Sequence, residues 1–200
     1  FDSVYIKSPA ELHIFLAARQ GLKIIQKKGF LLFVVTNQSG LARGFFTQND
    51  LVAIHQKLEA ELEKDGVYLQ EIAVCPHHPD EGCDCRKPSP KLVYEIAGKY
   101  GIDLGKSFFV GDQIVDIMTG SNAGCRTILL ADAEQLAQFR QEPDWQEPDY
   151  IVNDLYQAAL LIIGRKDFCS QLPVKNNNIS LNCENIPQTT PCHRHYPGPL

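Results

Sequence analysis

The stretch FLLFVVTNQSG, residues 30–40, sets the architecture of the chain. Residues 30–35 are apolar without a break, which marks a strand buried on both faces, as in a parallel sheet covered by helices. The run ends at Thr36-Asn37-Gln38 and is followed by Ser39-Gly40. In parallel sheets, ligands sit beyond the carboxyl ends of the strands. A hydroxyl and an amide at such an end can donate to anionic oxygens, and the glycine lets the backbone come close.

Further strand-like runs lie on either side of helical patterns: 72–74, SFFV at 107–110, TILL at 127–130 and YIV at 150–152. Between them, Ser8-Pro9 with Glu11 reads as the capped start of a first helix. Thr47 with Asp50 opens a second, with Leu51, Ile54, Leu58 and Leu62 on one face. Ser89-Pro90 opens a third, which stops near Gly101. A fourth spans 114–123 and a fifth 155–163. Alternating strands and helices predict an α/β fold, a Rossmann-like parallel sheet flanked by helices. One domain is expected over 1–164. Residues 165–200, with Asn176-Asn177-Asn178, several prolines and few large apolar residues, read as a disordered tail. Cys183, Cys192, His193 and His195 in that tail match no common zinc spacing.

The 200 residues are 44% hydrophobic and 22% charged, with a net charge of -5 and no dense basic block. That balance excludes nucleic acid and membrane surfaces as expected partners. It leaves room for a small anion met by local cations. No run approaches the roughly 20 apolar residues of a membrane span. The first residues lack the basic start and apolar stretch of a signal peptide. A monomer in the reducing cytoplasm is expected.

The seven cysteines are unevenly placed, with Cys75, Cys83 and Cys85 inside CPHHPDEGCDC at 75–85. A Cys-x-His pair and a Cys-x-Cys pair across a Pro- and Gly-rich turn can surround one tetrahedral ion. The expected set is Cys75, His77, Cys83 and Cys85 around Zn²⁺, with His78 as the rival to His77. Four protein ligands leave no open position, so this zinc would be structural. The loop runs directly into Arg86-Lys87-Pro88. A planar fork and a point charge on a pinned loop suit a phosphate. Asp112, after SFFV-Gly111, is a candidate Mg²⁺ ligand, with Asp116 four residues on.

Taken in order, VVTNQSGLARG at 34–44, CRKPSP at 85–90 and FFVGDQIVDI at 108–117 resemble three motifs of the haloacid dehalogenase (HAD) superfamily. The insert CPHHPDEGCDCRKP is similar to the zinc loop of its heptose-bisphosphate phosphatases, whose near relatives act on histidinol phosphate. The resemblance covers residues 1 to about 163. It implies hydrolysis of a sugar phosphate, foremost D-glycero-D-manno-heptose 1,7-bisphosphate, through an aspartyl-phosphate. By the same resemblance Thr36 and Asn37 hold phosphoryl oxygens, Lys87 neutralises charge, Asp112 holds Mg²⁺, and Arg43 and Arg86 contact the rest of the substrate. Asp116 is a supporting carboxylate.

The sequence departs from the family at two points. The family's opening strand, followed by Asp-x-Asp-Gly-Thr with the nucleophile, has no counterpart in the 200 residues; Asp2 is followed by Val4 where the second aspartate belongs. Gln113 stands where these families carry a basic residue. The expectation is a partial chain, inactive as written, with a sheet that lacks its first strand and exposes unpaired edges. Two other readings stay open: a histidinol-phosphate phosphatase, and a non-catalytic zinc-containing descendant that binds a phosphosugar or a protein.

Overall fold

In the computed structural model, residues 5–164 are described. The strands are β1 (Leu32–Asn37), β2 (Leu69–Cys75), β3 (Phe108–Gly111), β4 (Arg126–Leu130) and β5 (Tyr150–Val152). The helices are α1 (Leu16–Lys27), α2 (Gln48–Glu63), α3 (Lys91–Tyr100), α4 (Ile114–Ala123), α5 (Ala133–Phe139) and α6 (Leu155–Ile162). All strand pairs are parallel, so the predicted α/β class holds. The expected tail at 165–200 lies outside the described residues.

The strands form two sheets, β1-β2 and β3-β4-β5. Gln38 N–H donates to the Cys75 carbonyl at 2.8 Å, so even-numbered residues of β1 face β2. By the two-residue alternation of a strand, Val35 and Phe33 turn their amides the other way, toward β3. Arg126 N–H donates to the Ser107 carbonyl, which likewise turns the Phe108 and Val110 amides toward β1. No β1–β3 pairing exists among the described residues. The expected exposed edges are therefore the two walls of one seam.

Packing holds the seam together. Leu32 of β1, Ile128 of β4 and Val152 of β5 share one buried cluster with Ile25 of α1 and Ala158, Ala159, Leu161 and Ile162 of α6. Alternate side chains face the other way. Phe33 and Val35 join Ala73, Cys75, Leu92 and Ile96 under α3, and Leu129 joins Ile117 and Ala131 between α4 and α5. Gly21 permits the close approach of α1 and α6, because a Cβ there would lie 2.5 Å from the Leu155 carbonyl oxygen. At the lower end of the seam the Phe30 ring meets Phe108 edge-on, with centroids 6.4 Å apart.

Local chemistry explains where the sequence expectations shift. The β1 ladder starts at Leu32 and extends to Asn37, two residues later than the apolar run, because Phe30 packs as a ring and Asn37 pairs with Cys75. The Ser8-Pro9 start yields only a 3-10 turn, Pro9–Glu11. Glu11 accepts from Lys7 N–H and the Ser8 hydroxyl, and α1 begins independently at Leu16. The short α5 was not predicted. It is nucleated by Asp132 and Gln135, which form a reciprocal capping box. None of the described helices is long and apolar enough to cross a membrane.

Candidate functional site

The polar residues meet at the carboxyl ends of β1, β2 and β3. Thr36 is half-buried and its hydroxyl accepts from the Gln38 side chain at 3.3 Å. Beside it, the Asn37 amide faces the backbone of Lys87: Oδ1 accepts from Lys87 N–H at 3.0 Å and Nδ2 donates to the Lys87 carbonyl at 3.4 Å. The lysine side chain then turns back along β1. Its Nζ donates to the Val35 carbonyl at 3.1 Å and to Asp116 Oδ1 at 2.6 Å. Asp116 is buried, at 7% side-chain exposure, and Lys87 is half-buried, at 13%. The ammonium thus bridges the upper end of the seam, from a β1 edge carbonyl to α4.

Asp116, ranked below Asp112 from sequence, is the carboxylate that reaches Lys87. It occupies the third position of α4, and its Oδ2 accepts from Gln113 N–H at 3.2 Å. Capping turns the side chain back over the end of β3. Gly111 makes room for it, since a Cβ at 111 would lie 2.2 Å from the Asp116 Cβ. That glycine was the available signal: a residue without a side chain at a strand end marks a close approach. Asp112 stands exposed just beyond β3. Arg43 is exposed on the loop after β1, next to positive-φ Gly44.

That loop is anchored by aromatic contacts that sequence reading did not foresee. The Tyr5 hydroxyl lies 3.1 Å from the hydroxyl of buried Ser39, and its ring packs on Phe45 and Phe46 at 5.3 and 6.3 Å.

The four expected metal donors come together. Cys75 Sγ, His77 Nδ1, Cys83 Sγ and Cys85 Sγ all lie within 4.8 Å of one another. Sγ of Cys75 is 3.6 Å from His77 Nδ1 and from Cys83 Sγ, and Cys85 Sγ is 3.2 Å from the same nitrogen. A tetrahedral zinc with bonds of about 2.0 to 2.3 Å sets its donors about 3.3 to 3.8 Å apart, so the set fits. The rival His78 points away: its Nδ1 accepts from Asp80 N–H and caps the turn Pro79–Glu81. Burial, with the adjoining Cys75 and Cys83 thiols, pushes Cys85 up to about 12. Burial also acts on Cys83, but hydrogen bonds from Cys75 and from the Arg86 and Cys85 backbones hold that thiol below its ordinary value.

Arg86 follows the last of these cysteines. Its Nη1 is shielded from solvent and has no hydrogen-bond partner among the described residues. Buried donors of this kind are rarely left unmatched, and a charged one still less often. The arrangement can therefore meet an anion at the strand ends with two cations, Lys87 held by protein and Arg86 with a donor to offer.

A parallel sheet with its polar site at the strand ends, a lysine on a pinned loop and a carboxylate entering from the next helix define a HAD-like hydrolase. The family model described as HAD-hydrolase-like matches residues 84–158. The D-glycero-beta-D-manno-heptose-1,7-bisphosphate 7-phosphatase of Bordetella bronchiseptica is 39% identical over 124 residues, covering 62% of this chain and 69% of that protein. The enzyme of the same name from Pseudomonas putida is 38% identical over 164 residues, covering 82% and 93%. The chain is also similar to the crystal structure of the B. bronchiseptica D,D-heptose 1,7-bisphosphate phosphatase complexed with magnesium and phosphate. That match has a TM-score of 0.71 and 34% identity, covering 78% of this chain and 86% of that one. The chain belongs to the D-glycero-D-manno-heptose-1,7-bisphosphate 7-phosphatase family of HAD-like hydrolases.

Proposed function

We propose that this chain carries the phosphoryl-binding site of a sugar-phosphate phosphatase whose substrate is D-glycero-D-manno-heptose 1,7-bisphosphate. The carrying observation is a Lys87 ammonium held between the Val35 carbonyl and Asp116 at the end of β1, together with a buried Arg86 nitrogen that has no acceptor among the described residues. A phosphoryl oxygen supplies that acceptor. Lys87 neutralises charge gathering on the transferring group, the Thr36 hydroxyl donates to it, and Arg86 forks onto oxygens of the substrate. Arg43, exposed on the neighbouring loop, contacts the remainder of the sugar phosphate.

Asp112 would hold Mg²⁺, which supplies further charge neutralisation when bound. The B. bronchiseptica relative complexed with magnesium and phosphate supports that pairing. Zinc on Cys75, His77, Cys83 and Cys85 keeps the Arg86-Lys87 loop in shape and takes no part in the chemistry. Heptose bisphosphate is favoured over histidinol phosphate by the relatives compared above. Nucleophilic attack needs an aspartate in the Asp-x-Asp pattern, which none of the 200 residues supplies.

The test is calorimetric titration of the 200-residue chain with inorganic phosphate in the presence of Mg²⁺, alongside a turnover assay on the heptose bisphosphate. Saturable binding that is weakened about a hundredfold, but still measurable, in Lys87→Ala, with no turnover above an Asp112→Ala control, is expected. Phosphate binding unchanged by Lys87→Ala would remove the proposed site. Turnover above that control would overturn the account of the missing nucleophile.

A further inference from the structure

We infer that Asn37 is a positioning residue that places the Lys87 ammonium, in place of a direct contact with the phosphoryl group. The inference rests on the reading of Lys87 as the phosphoryl-facing cation. Both polar atoms of the Asn37 amide are directed at the backbone of one residue, 50 residues away, Oδ1 to Lys87 N–H at 3.0 Å and Nδ2 to the Lys87 carbonyl at 3.4 Å. The N–H and C=O of one residue belong to two successive peptide units, so the side-chain amide, donor against acceptor, holds both peptides that flank the Lys87 Cα. Val35, two residues earlier on the same strand, accepts from the Lys87 ammonium at 3.1 Å. One strand therefore grips the lysine at its backbone and at its tip, and Asp116 fixes the direction of the tip from the far side at 2.6 Å.

The clasp is braced from the metal side as well. Asn37 is the register partner of Cys75 in the β1–β2 ladder, and Gln38 N–H donates to the Cys75 carbonyl at 2.8 Å. Cys85 lies two residues before Lys87. The cysteine cluster thus reaches the lysine along two paths, one through the chain and one through Asn37. A lysine has four rotatable side-chain bonds, and an ammonium without its backbone anchored samples many positions. Anchoring the backbone is what makes the Val35 and Asp116 contacts reproducible, and both atoms of the asparagine amide are spent on it.

A double-mutant cycle on the intact chain separates this role from a direct contact. Phosphate affinity is measured with inorganic phosphate and Mg²⁺ for the unaltered chain, Asn37→Ala, Lys87→Ala and the double variant. Asn37→Ala should weaken phosphate about tenfold alone, yet by less than about twofold in the Lys87→Ala background. Equal losses in both backgrounds would place Asn37 on the phosphate itself and overturn the inference. A ligand-free arm follows the Lys87 ammonium by ¹⁵N NMR. Its signal should leave the position set by Val35 and Asp116 in folded Asn37→Ala, and an unmoved signal overturns the inference whatever phosphate does. If the alanine chain fails to fold, Asn37→Asp decides, because it keeps the Oδ1 acceptor of the shorter bond. A retained ammonium signal supports the clasp, and its loss counts against it. Failure of the unaltered chain to take phosphate would remove the phosphate site alone, leaving the ammonium arm to judge Asn37.

Discussion

At the scale of single residues, the Lys87–Asp116 pair is the most exposed to perturbation, because the Asp116 carboxylate is buried and its cation has little access to water. Removing one member of a buried ion pair leaves the other charge unmatched, which typically costs about 3 kcal/mol. Asp116→Ala should lower unfolding stability by that amount in a urea titration, although the Gln113 contact it also breaks is partly solvent-facing. Gly111→Ala should act on the same pair by steric displacement, since the added methyl falls at 2.2 Å from Asp116 Cβ. A cost of about 2 kcal/mol is expected, with the Lys87 ammonium shifted in NMR. Lys87 and Arg86 stood out in the sequence because they adjoin a loop of paired cysteines. The contact between Asp116 and Lys87 did not, because Asp112 and Asp116 differ only in how the chain turns into α4. That turn is set by capping hydrogen bonds, which a spacing rule does not resolve.

Elements show how local signals combine with packing. Thr47 and Asp50 close a reciprocal cap on α2, the one helix start whose sequence signature and structure coincide in full. Thr47→Ala should cost about 1 kcal/mol by thermal or urea unfolding. The Thr47 hydroxyl and backbone N–H hold the Asp50 carboxyl below its ordinary value. A depressed folded-state value means the cap stabilises fully above the usual carboxylate range, near about 3.9, and the gain is lost as pH falls through the folded value. An NMR pH titration of Asp50 should show that depressed midpoint, and Thr47→Ala should return it toward the ordinary value. The Ser8-Glu11 signature had the same wording but gave only a turn, and none of its residues Pro9–Glu11 is buried. Conversely, α5 escaped notice because a seven-residue helix with no fully buried side chain leaves no clear periodic stripe. Helix existence was readable where a buried face repeats and unreadable where capping alone sustains it.

Across the whole molecule, the cysteine loop brings four possible metal donors within 4.8 Å of one another. Metal binding to a preformed donor set adds directly to folding free energy. A strong chelator should lower the thermal midpoint by about 5–10 °C, and one equivalent of Zn²⁺ should restore it. Because burial raises Cys85 to about 12, that thiol gives up a proton when it becomes a metal ligand. Metal occupancy, measured by elemental analysis after dialysis, should therefore fall from pH 8 to pH 5.5. The fold class and the four donors were legible in the sequence, since buried strands and paired ligands leave periodic and spaced marks. The division of the sheet was foreseen only through the resemblance. Strand order depends on contacts between distant segments, which no local pattern encodes.

The seam has a readable consequence for solvent exchange. Phe33 and Val35 on one wall and Phe108 and Val110 on the other direct their amides at one another's strand without bonding across. Their immediate neighbours in sequence, directed outward to β2 and β4, are locked in ladders. In heavy water, deuterium uptake along β1 and β3 should alternate residue by residue, quick at the seam and slow on the ladder side, so that two short strands in the middle of the molecule behave like a pair of edges.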